Sequence, residues 1–467
     1  MANLKNNIAA EKDAARTKEL DRGLKNRHVQ LISIGGAIGT GLFLGSGKSI
    51  QAAGPSILLS YLIMGCICFL IMRALGELLL SNLEHHSFLE FIEDHLGKKA
   101  AFVTGWTYWF CWISIAMADL TATGLYIRYW APGIPQWLPE VIALVILLSL
   151  NLMAVRLFGE MEFWFALIKV VAIIALIVVG VYMIATGYHT NAGSAGFSQL
   201  WTHGGFFPKG FSGFLASFQM AAFAFVGIEL VGLIAGETQD PETVIPKAIN
   251  NIPIRIILFY LGSLTVIMSI YPWDSLNAAH SPFVEVFSEI GVTVAASVIN
   301  VVVLSSAASA CNSALYSTGR MLRSLAKENS APSFFLKLTR HQVPGSAILF
   351  SAATIFTVIL LNYFVPSEAF TLITGVSTVC FLFIWFMMVY THLRYRKTAE
   401  TLHSFRMPLY PFSDYLVMGF ILVLVGILFW EKATRMIMLL TPFWFIALLA
   451  VYHFKYERAA AFEYSKD

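Results

Sequence analysis

Gly35-Gly36-Ala37-Ile38-Gly39-Thr40-Gly41-Leu42-Phe43 lies in the middle of an apolar stretch running from residue 29 to 52. Four of the seven residues from Gly35 to Gly41 are glycine, and each costs a helix interior roughly 1 kcal/mol relative to alanine. Two readings stand for this stretch on its own. Gly35-xxx-Gly39 and Gly41-xxx-Gly45 fit close packing of membrane helices, and the same glycines make the span cheap to unwind. A second interruption decides between them. Five apolar stretches later, Phe223-Ala224-Phe225-Val226-Gly227-Ile228-Glu229-Leu230 breaks the stretch from 211 to 234. Paired interrupted spans in two halves point to an inverted-repeat transporter. There, a half-helix N-terminus offers N–H groups and a positive dipole end to a carboxylate, and orphaned carbonyls suit an ammonium. A zwitterionic amino acid carries both charges.

The rest of the chain provides the lipid-facing frame. Of its 467 residues, 57% are hydrophobic and 13% charged, against about 25% charged in a soluble domain, and the mean hydropathy is +0.70. Apolar stretches long enough for a ~30 Å hydrocarbon layer recur near residues 29–52, 55–79, 100–127, 137–155, 163–186, 211–234, 252–271, 291–318, 345–363, 368–391, 411–430 and 437–454. The expected fold is therefore all-α, a polytopic membrane protein of about 12 transmembrane helices. With the N-terminus inside, roughly 25 Lys and Arg fall in cytoplasmic segments and about 5 outside, so both termini are expected in the cytoplasm. Residues 1–27 are polar and mixed in charge, with no secretory h-region, and read as a cytoplasmic tail. The segments Ser87 to Leu96 and Ala331 to Leu338 are amphipathic and expected at the membrane interface.

Several motifs point elsewhere and fail. Gly47-Lys48-Ser49 resembles the end of a phosphate-binding loop, but the spacing requires glycine where Leu42 stands, and no strand precedes it. Nucleotide and nucleic-acid binding are not expected, nor is a metal site. The cysteines Cys66, Cys68, Cys111, Cys311 and Cys380 all lie in apolar stretches and read as small apolar residues. No nucleophile, base and orienter trio suggests an enzyme, and no large cytoplasmic domain suggests a receptor.

Charges inside the spans each need a partner, a water path or a task, because one at the bilayer centre costs at least ~2.5 to 3.5 kcal/mol. Asp119 lies about 15 Å from the outer end of its span and either handles substrate or proton or is a structural hydrogen-bonding group. Glu229 either exchanges a proton or braces the break before it. Lys169, roughly 9 Å from the inner end of its span, either snorkels to the cytoplasmic interface or works inside the membrane. Ser305, Ser306 and Ser309 either bond across helices or face the first break near Lys169. Arg73 and Glu77, spaced i, i+4, are expected to pair at the interface. The run Trp106, Tyr108, Trp109, Phe110 and Trp112 begins near the cytoplasmic interface, where an aromatic belt explains at least its first members and a substrate box is the other reading; His85 and His86 are expected to be solvated.

The chain resembles the amino acid–polyamine–organocation superfamily, specifically bacterial amino acid permeases of the D-serine/D-alanine/glycine type. The resemblance rests on Asn26-Arg27-His28-Val29-Gln30-Leu31 leading into the first glycine run, Arg73-Ala74-Leu75-Gly76-Glu77-Leu78, Gly105-Trp106-Thr107-Tyr108-Trp109-Phe110-Cys111-Trp112 and Phe158-Gly159-Glu160-Met161-Glu162-Phe163-Trp164. Phe225-Val226-Gly227-Ile228-Glu229-Leu230 and Asn312-Ser313 ahead of Arg320-Met321-Leu322 extend it. It implies a LeuT-like 5+5 inverted repeat in a bacterial inner membrane. The tail of residues 1–27 would be followed by repeats over 28–190 and 191–397, then two further helices within 398–467. It also implies a small neutral amino acid as substrate, D-enantiomers included, with the proton as coupling ion and no other cofactor; membrane lipid is the surrounding partner. The substrate site would draw on Ala37, Ile38, Gly39, Thr40, Gly41, Phe223, Ala224, Val226 and Gly227, with Phe223 as an aromatic gate. Lys169, placed where sodium-coupled relatives hold an ion, would couple protons together with Glu229 and Asp119. An exchanger or a permease for another neutral amino acid is the nearest alternative.

Overall fold

The computed structural model describes residues 38–85, 87–153, 155–190, 193–229, 240–276, 280–289, 293–399 and 403–457, the backbone alone at 155–161, 289, 293, 367 and 457. Among them the chain is almost entirely helical, with one two-residue antiparallel strand pair, His189–Thr190 with Gly193–Ser194, in a loop. Nine helical segments in the described residues are long and apolar enough to cross a membrane, and Trp137–Asn151 and Gly210–Ala224 are shorter apolar helices. At 1.5 Å per residue, the 15 residues of Trp137–Asn151 reach only about 22 Å.

Local chemistry sets the element ends. Gly45–Ala53 turns into Ile57–Ser81 through Gly54–Ser56, where Gly54 has φ +62° and a Cβ would stand 2.4 Å from Pro208. The seventh predicted span starts earlier than its apolar stretch suggests. Helical backbone begins at Pro241, passes through a π-helical Ile256–Gly262 and ends at Ile270.

Three expectations about short segments between the spans are corrected. The helix Phe88–Leu96 does form, started by Ser87 accepting from the Leu89 N–H at 3.2 Å and ended at Gly97 with φ +87°. Its apolar face, however, is buried in the protein core rather than laid on lipid, with Phe88, Leu89, Phe91 and Ile92 each no more than 3% exposed. The second amphipathic segment forms a short 3₁₀ turn, Ser333–Leu336, which buries Phe335 and Leu336. His85 is half-buried rather than solvated, its ring 2.7 Å from Asp94 Oδ2 and 4.5 Å from the Phe91 ring; His86 lies outside the described residues.

Glu77 and Arg73 do not form the expected interfacial pair. Glu77 is fully buried, 3.1 Å from His392 Nε2 and 3.3 Å from an Arg396 nitrogen, and it accepts the Met407 N–H at 2.7 Å. His392 Nδ1 faces Asp414 Oδ1 at 2.6 Å. This cluster ties Ile57–Ser81 to Pro366–Thr398 and Phe412–Trp430, with the His392 ring between the two buried carboxylates and Arg396 beside Glu77. Arg73 instead donates to Asn250 Oδ1 and to the Arg406 carbonyl, and lies over the Phe405 ring. The aromatic run is likewise mostly core: Tyr108, Trp109 and Trp112 are buried, with the Trp109 indole donating to Ser351 Oγ at 3.1 Å.

Glu328, just past the end of Thr293–Lys327, is pushed up to about 7 by burial and by the carboxylates of Glu90 and Glu93. An acid that holds its proton more tightly when folded stabilises the fold fully below its ordinary value of 4.5 and loses that contribution as pH rises through 7. Glu328→Gln is expected to raise the melting temperature of the detergent-solubilised protein by about 1–2 °C at pH 8 and to leave it unchanged at pH 5, read by intrinsic fluorescence.

Candidate functional site

Two helix ends meet inside the molecule. Gly39 is extended, with φ −128° and ψ −161°, and helix begins at Thr40, running to Phe43 and again over Gly45–Ala53 after an irregular Leu44. The opposing helix, Gly210–Ala224, stops at Ala224; turn residues follow, with Gly227 at φ +96°. The Leu42 and Phe43 N–H groups donate to the Gly39 carbonyl at 3.2 Å, and the Ala222 and Phe223 carbonyls accept from the Phe225 and Val226 N–H groups at 3.1 and 3.2 Å; a helix end leaves its other terminal groups without helical partners. Side chains meet two carbonyls beside the breaks: Ser306 Oγ donates to the Ile38 carbonyl at 3.2 Å, and the Tyr260 hydroxyl to the Ala224 carbonyl at 2.8 Å.

The ends approach so closely that a Cβ on Gly41 would lie 2.6 Å from Ala224 Cα, and one on Gly45 2.7 Å from Met220 Sδ. The glycines therefore serve packing as well as interruption. Between the ends lies a small cavity lined by Gly39, Thr40, Gly41, Phe223, Ala224 and Val226, closed by Trp112, Ile115, Asp119, Ala310 and Ser313. Ile38 and Gly227 are buried beside it and do not line it; Ala37 lies outside the described residues. Phe223 meets Phe370 edge-on at 6.3 Å, and Lys48 lies 5.1 Å from the Phe370 ring centre while donating to Thr371 Oγ1.

Asp119 is 1% exposed. Its Oδ1 accepts the Thr40 hydroxyl at 2.7 Å, and its Oδ2 has no hydrogen-bond partner among the described residues. This fixes one carboxylate oxygen on the start of the first helix and leaves the other at the cavity wall. Lys169 is fully buried rather than snorkelling, and its Nζ donates to Ser309 Oγ at 3.0 Å. Ser309 in turn donates to Glu162 Oε1 at 2.5 Å. Of the three serines, Ser306 faces the first break and Ser309 the lysine, while Ser305 bonds within its own helix to Val302. Glu229 stands apart, fully buried beside the Trp385 indole and the Gly227 backbone. The structure thus brings Asp119 and Lys169 into one charge cluster and leaves Glu229 in another place.

Trp112, Ile115, Ala310, Ser313 and Glu162 were not among the site residues expected from sequence. A helical-spacing signal was present: Trp112, Ile115 and Asp119 fall at i, i+3 and i+7, and Glu162 and Lys169 at i and i+7, each set on one helix face.

Residues 28–464 match the family model described as amino acid permease. The chain is 62% identical over 444 residues to the uncharacterized transporter YdgF of Bacillus subtilis strain 168, covering 94% of this chain and 97% of that one. It is 60% identical over 444 residues to the amino-acid permease AapA of the same organism, covering 94% and 96%. It is 51% identical over 447 residues to the D-serine/D-alanine/glycine transporter of Escherichia coli strain K12, covering 94% and 95%.

Gly41→Ala is expected to destabilise the protein by about 1–3 kcal/mol through backbone collision, seen as a several-fold loss of monodisperse protein in fluorescence-detected size exclusion. Gly39→Ala, whose Cβ would meet Ala310 Cβ only at 4.0 Å, is expected to leave that yield unchanged.

Proposed function

The chain belongs to the amino acid permease family, and from that premise we propose that it imports small neutral amino acids by proton symport, with glycine, alanine and serine of either hand as substrates. The observation that carries this reading is the cavity between the helix start at Thr40 and the helix end at Ala224. The substrate carboxylate sits on the backbone N–H groups of Thr40 and Gly41, at the positive end of the helix dipole. The ammonium sits on the carbonyls near Phe223 and Val226. Because backbone grips both charged ends, and Trp112, Ile115 and Phe223 leave little room beside them, the side chain must be small. A hydrogen or methyl group there lets either hand fit.

Alternating access follows from a repeat of five plus five spans, over 28–190 and 191–397, one half rocking against the other with Phe223 closing over the substrate. The spans lie in a bacterial inner membrane with both termini in the cytoplasm. Proton coupling falls to the buried charges Asp119 and Lys169, with Glu229 as a separate buried acid beyond the second break. The 51% identity to a D-serine/D-alanine/glycine transporter supports the substrate class.

The test is uptake of radiolabelled glycine, D-alanine, D-serine and L-leucine into liposomes carrying the purified protein, under an imposed proton or sodium gradient. Concentrative uptake of the first three under the proton gradient alone is expected; accumulation that follows sodium, or none beyond exchange, rejects symport. Lys169→Ala is expected to abolish the gradient-driven component. Ile115→Ala, which opens the wall of the cavity, is expected to raise L-leucine uptake relative to glycine by about tenfold, the scale of one or two methylene groups in an apolar pocket.

A further inference from the structure

Glu162 occupies a place for which the proposed site has no use. It is 1% exposed, two helical turns before Lys169 on Val155–Thr186, or roughly 10 Å along the axis towards the start of that helix. Ser309 joins it to Lys169 through two hydrogen bonds. Ser313, one turn further along Thr293–Lys327, lines the cavity and lies beside the Glu162 carboxyl. Asp119 stands on the other side of the same cavity, hydrogen-bonded to Thr40. Asp119, Glu162 and Lys169 all interact electrostatically with one another. Among the described residues, Tyr126 and Cys311 also interact electrostatically with Asp119.

One ammonium and two carboxylates, all buried, carry a net negative charge unless one carboxyl holds a proton. Low-dielectric surroundings penalise every net charge. Counting the charges among the described residues, the cluster is therefore neutral with a single proton placed on either acid while Lys169 stays positive, and the two placements lie on different helices, Lys98–Arg128 and Val155–Thr186. Asp119 touches the first helix break; Glu162 points towards the helix start, the cytoplasmic side in the orientation proposed above.

We propose that the transported proton resides on the carboxyl pair Asp119 and Glu162, that Lys169 is the fixed cation both share, and that Glu162 is the group from which the proton leaves. An O–H bond forms at Asp119 Oδ2 with a proton from the outer water. That bond breaks as the Ser313 hydroxyl takes the proton and gives its own to Glu162, and Glu162 loses it to inner water. One proton enters, one leaves, and no electron is transferred. This inference rests on the proton-symport reading and adds the identity of the groups that carry the proton.

The experiment uses the full-length protein in liposomes loaded with a pH-sensitive dye, recording D-alanine-induced proton influx alongside exchange of labelled for unlabelled D-alanine, which needs no net proton. Wild type is expected to show both; exchange without influx in wild type rejects the symport reading itself. Glu162→Gln is expected to lose proton influx at least tenfold while exchange falls less than threefold. Glu162→Asp, which keeps the carboxyl, is expected to restore influx. Influx at the wild-type level in Glu162→Gln overturns the proposal. If Glu162→Gln loses both activities, recovery of both by Glu162→Asp supports a proton-carrying carboxyl, and recovery of neither overturns it in favour of a packing role.

Discussion

The contact on which the molecule turns is the near-collision of two backbones at Gly41 and Ala224. No side chain fits there, since a Cβ on Gly41 would overlap Ala224 Cα at 2.6 Å. Helix ends brought this close in a membrane would ordinarily be ruinous, because lipid supplies no partner for the peptide groups they leave open. Here the ends face each other across a cavity, and neighbouring side chains supply bonds lipid cannot: Ser306 to the Ile38 carbonyl and Tyr260 to the Ala224 carbonyl. Irregular backbone is thereby confined to a protein-lined space.

Thr40 links this backbone arrangement to the charges. Its hydroxyl belongs to the first residue of the helix start and is donated to a carboxylate on another helix, so the position of the break and the orientation of Asp119 are fixed together. Movement of the helix start would shift the carboxylate's surroundings, and a change in the charge of Asp119 would alter its hold on the helix start. The coupling needs no long chain of contacts, for a single hydrogen bond of 2.7 Å spans it.

The membrane frame was legible in the sequence because the cost of meeting lipid is paid residue by residue along a continuous stretch, and the apolar runs from 55 to 79 and from 100 to 127 correspond to Ile57–Ser81 and Lys98–Arg128. The two breaks were legible for the same local reason, glycine density in one and a glycine at positive φ in the other. What sequence reading missed depended on pairing between distant segments. Glu77 has an arginine at the right helical spacing, yet its partners are on Pro366–Thr398 and in the loop at Met407. The face of Phe88–Leu96 looked like a lipid-facing surface because amphipathicity records that one side is apolar, not which apolar partner will cover it. Trp112 and Ile115 share a helix face with Asp119, but an aromatic in a membrane helix has so many ordinary uses that spacing alone did not single them out.

The His392 cluster has a consequence for how the chain is made. Glu77 is made before His392, which is 315 residues further on. At ~5–20 residues per second, synthesis separates the two by roughly 15–60 seconds. Throughout that interval a residue destined for a fully enclosed position must stay near the aqueous face of the bilayer, or hold its proton. The pairing of Glu77 with His392 and Arg396 thus becomes possible only once the segment Pro366–Thr398 has been made.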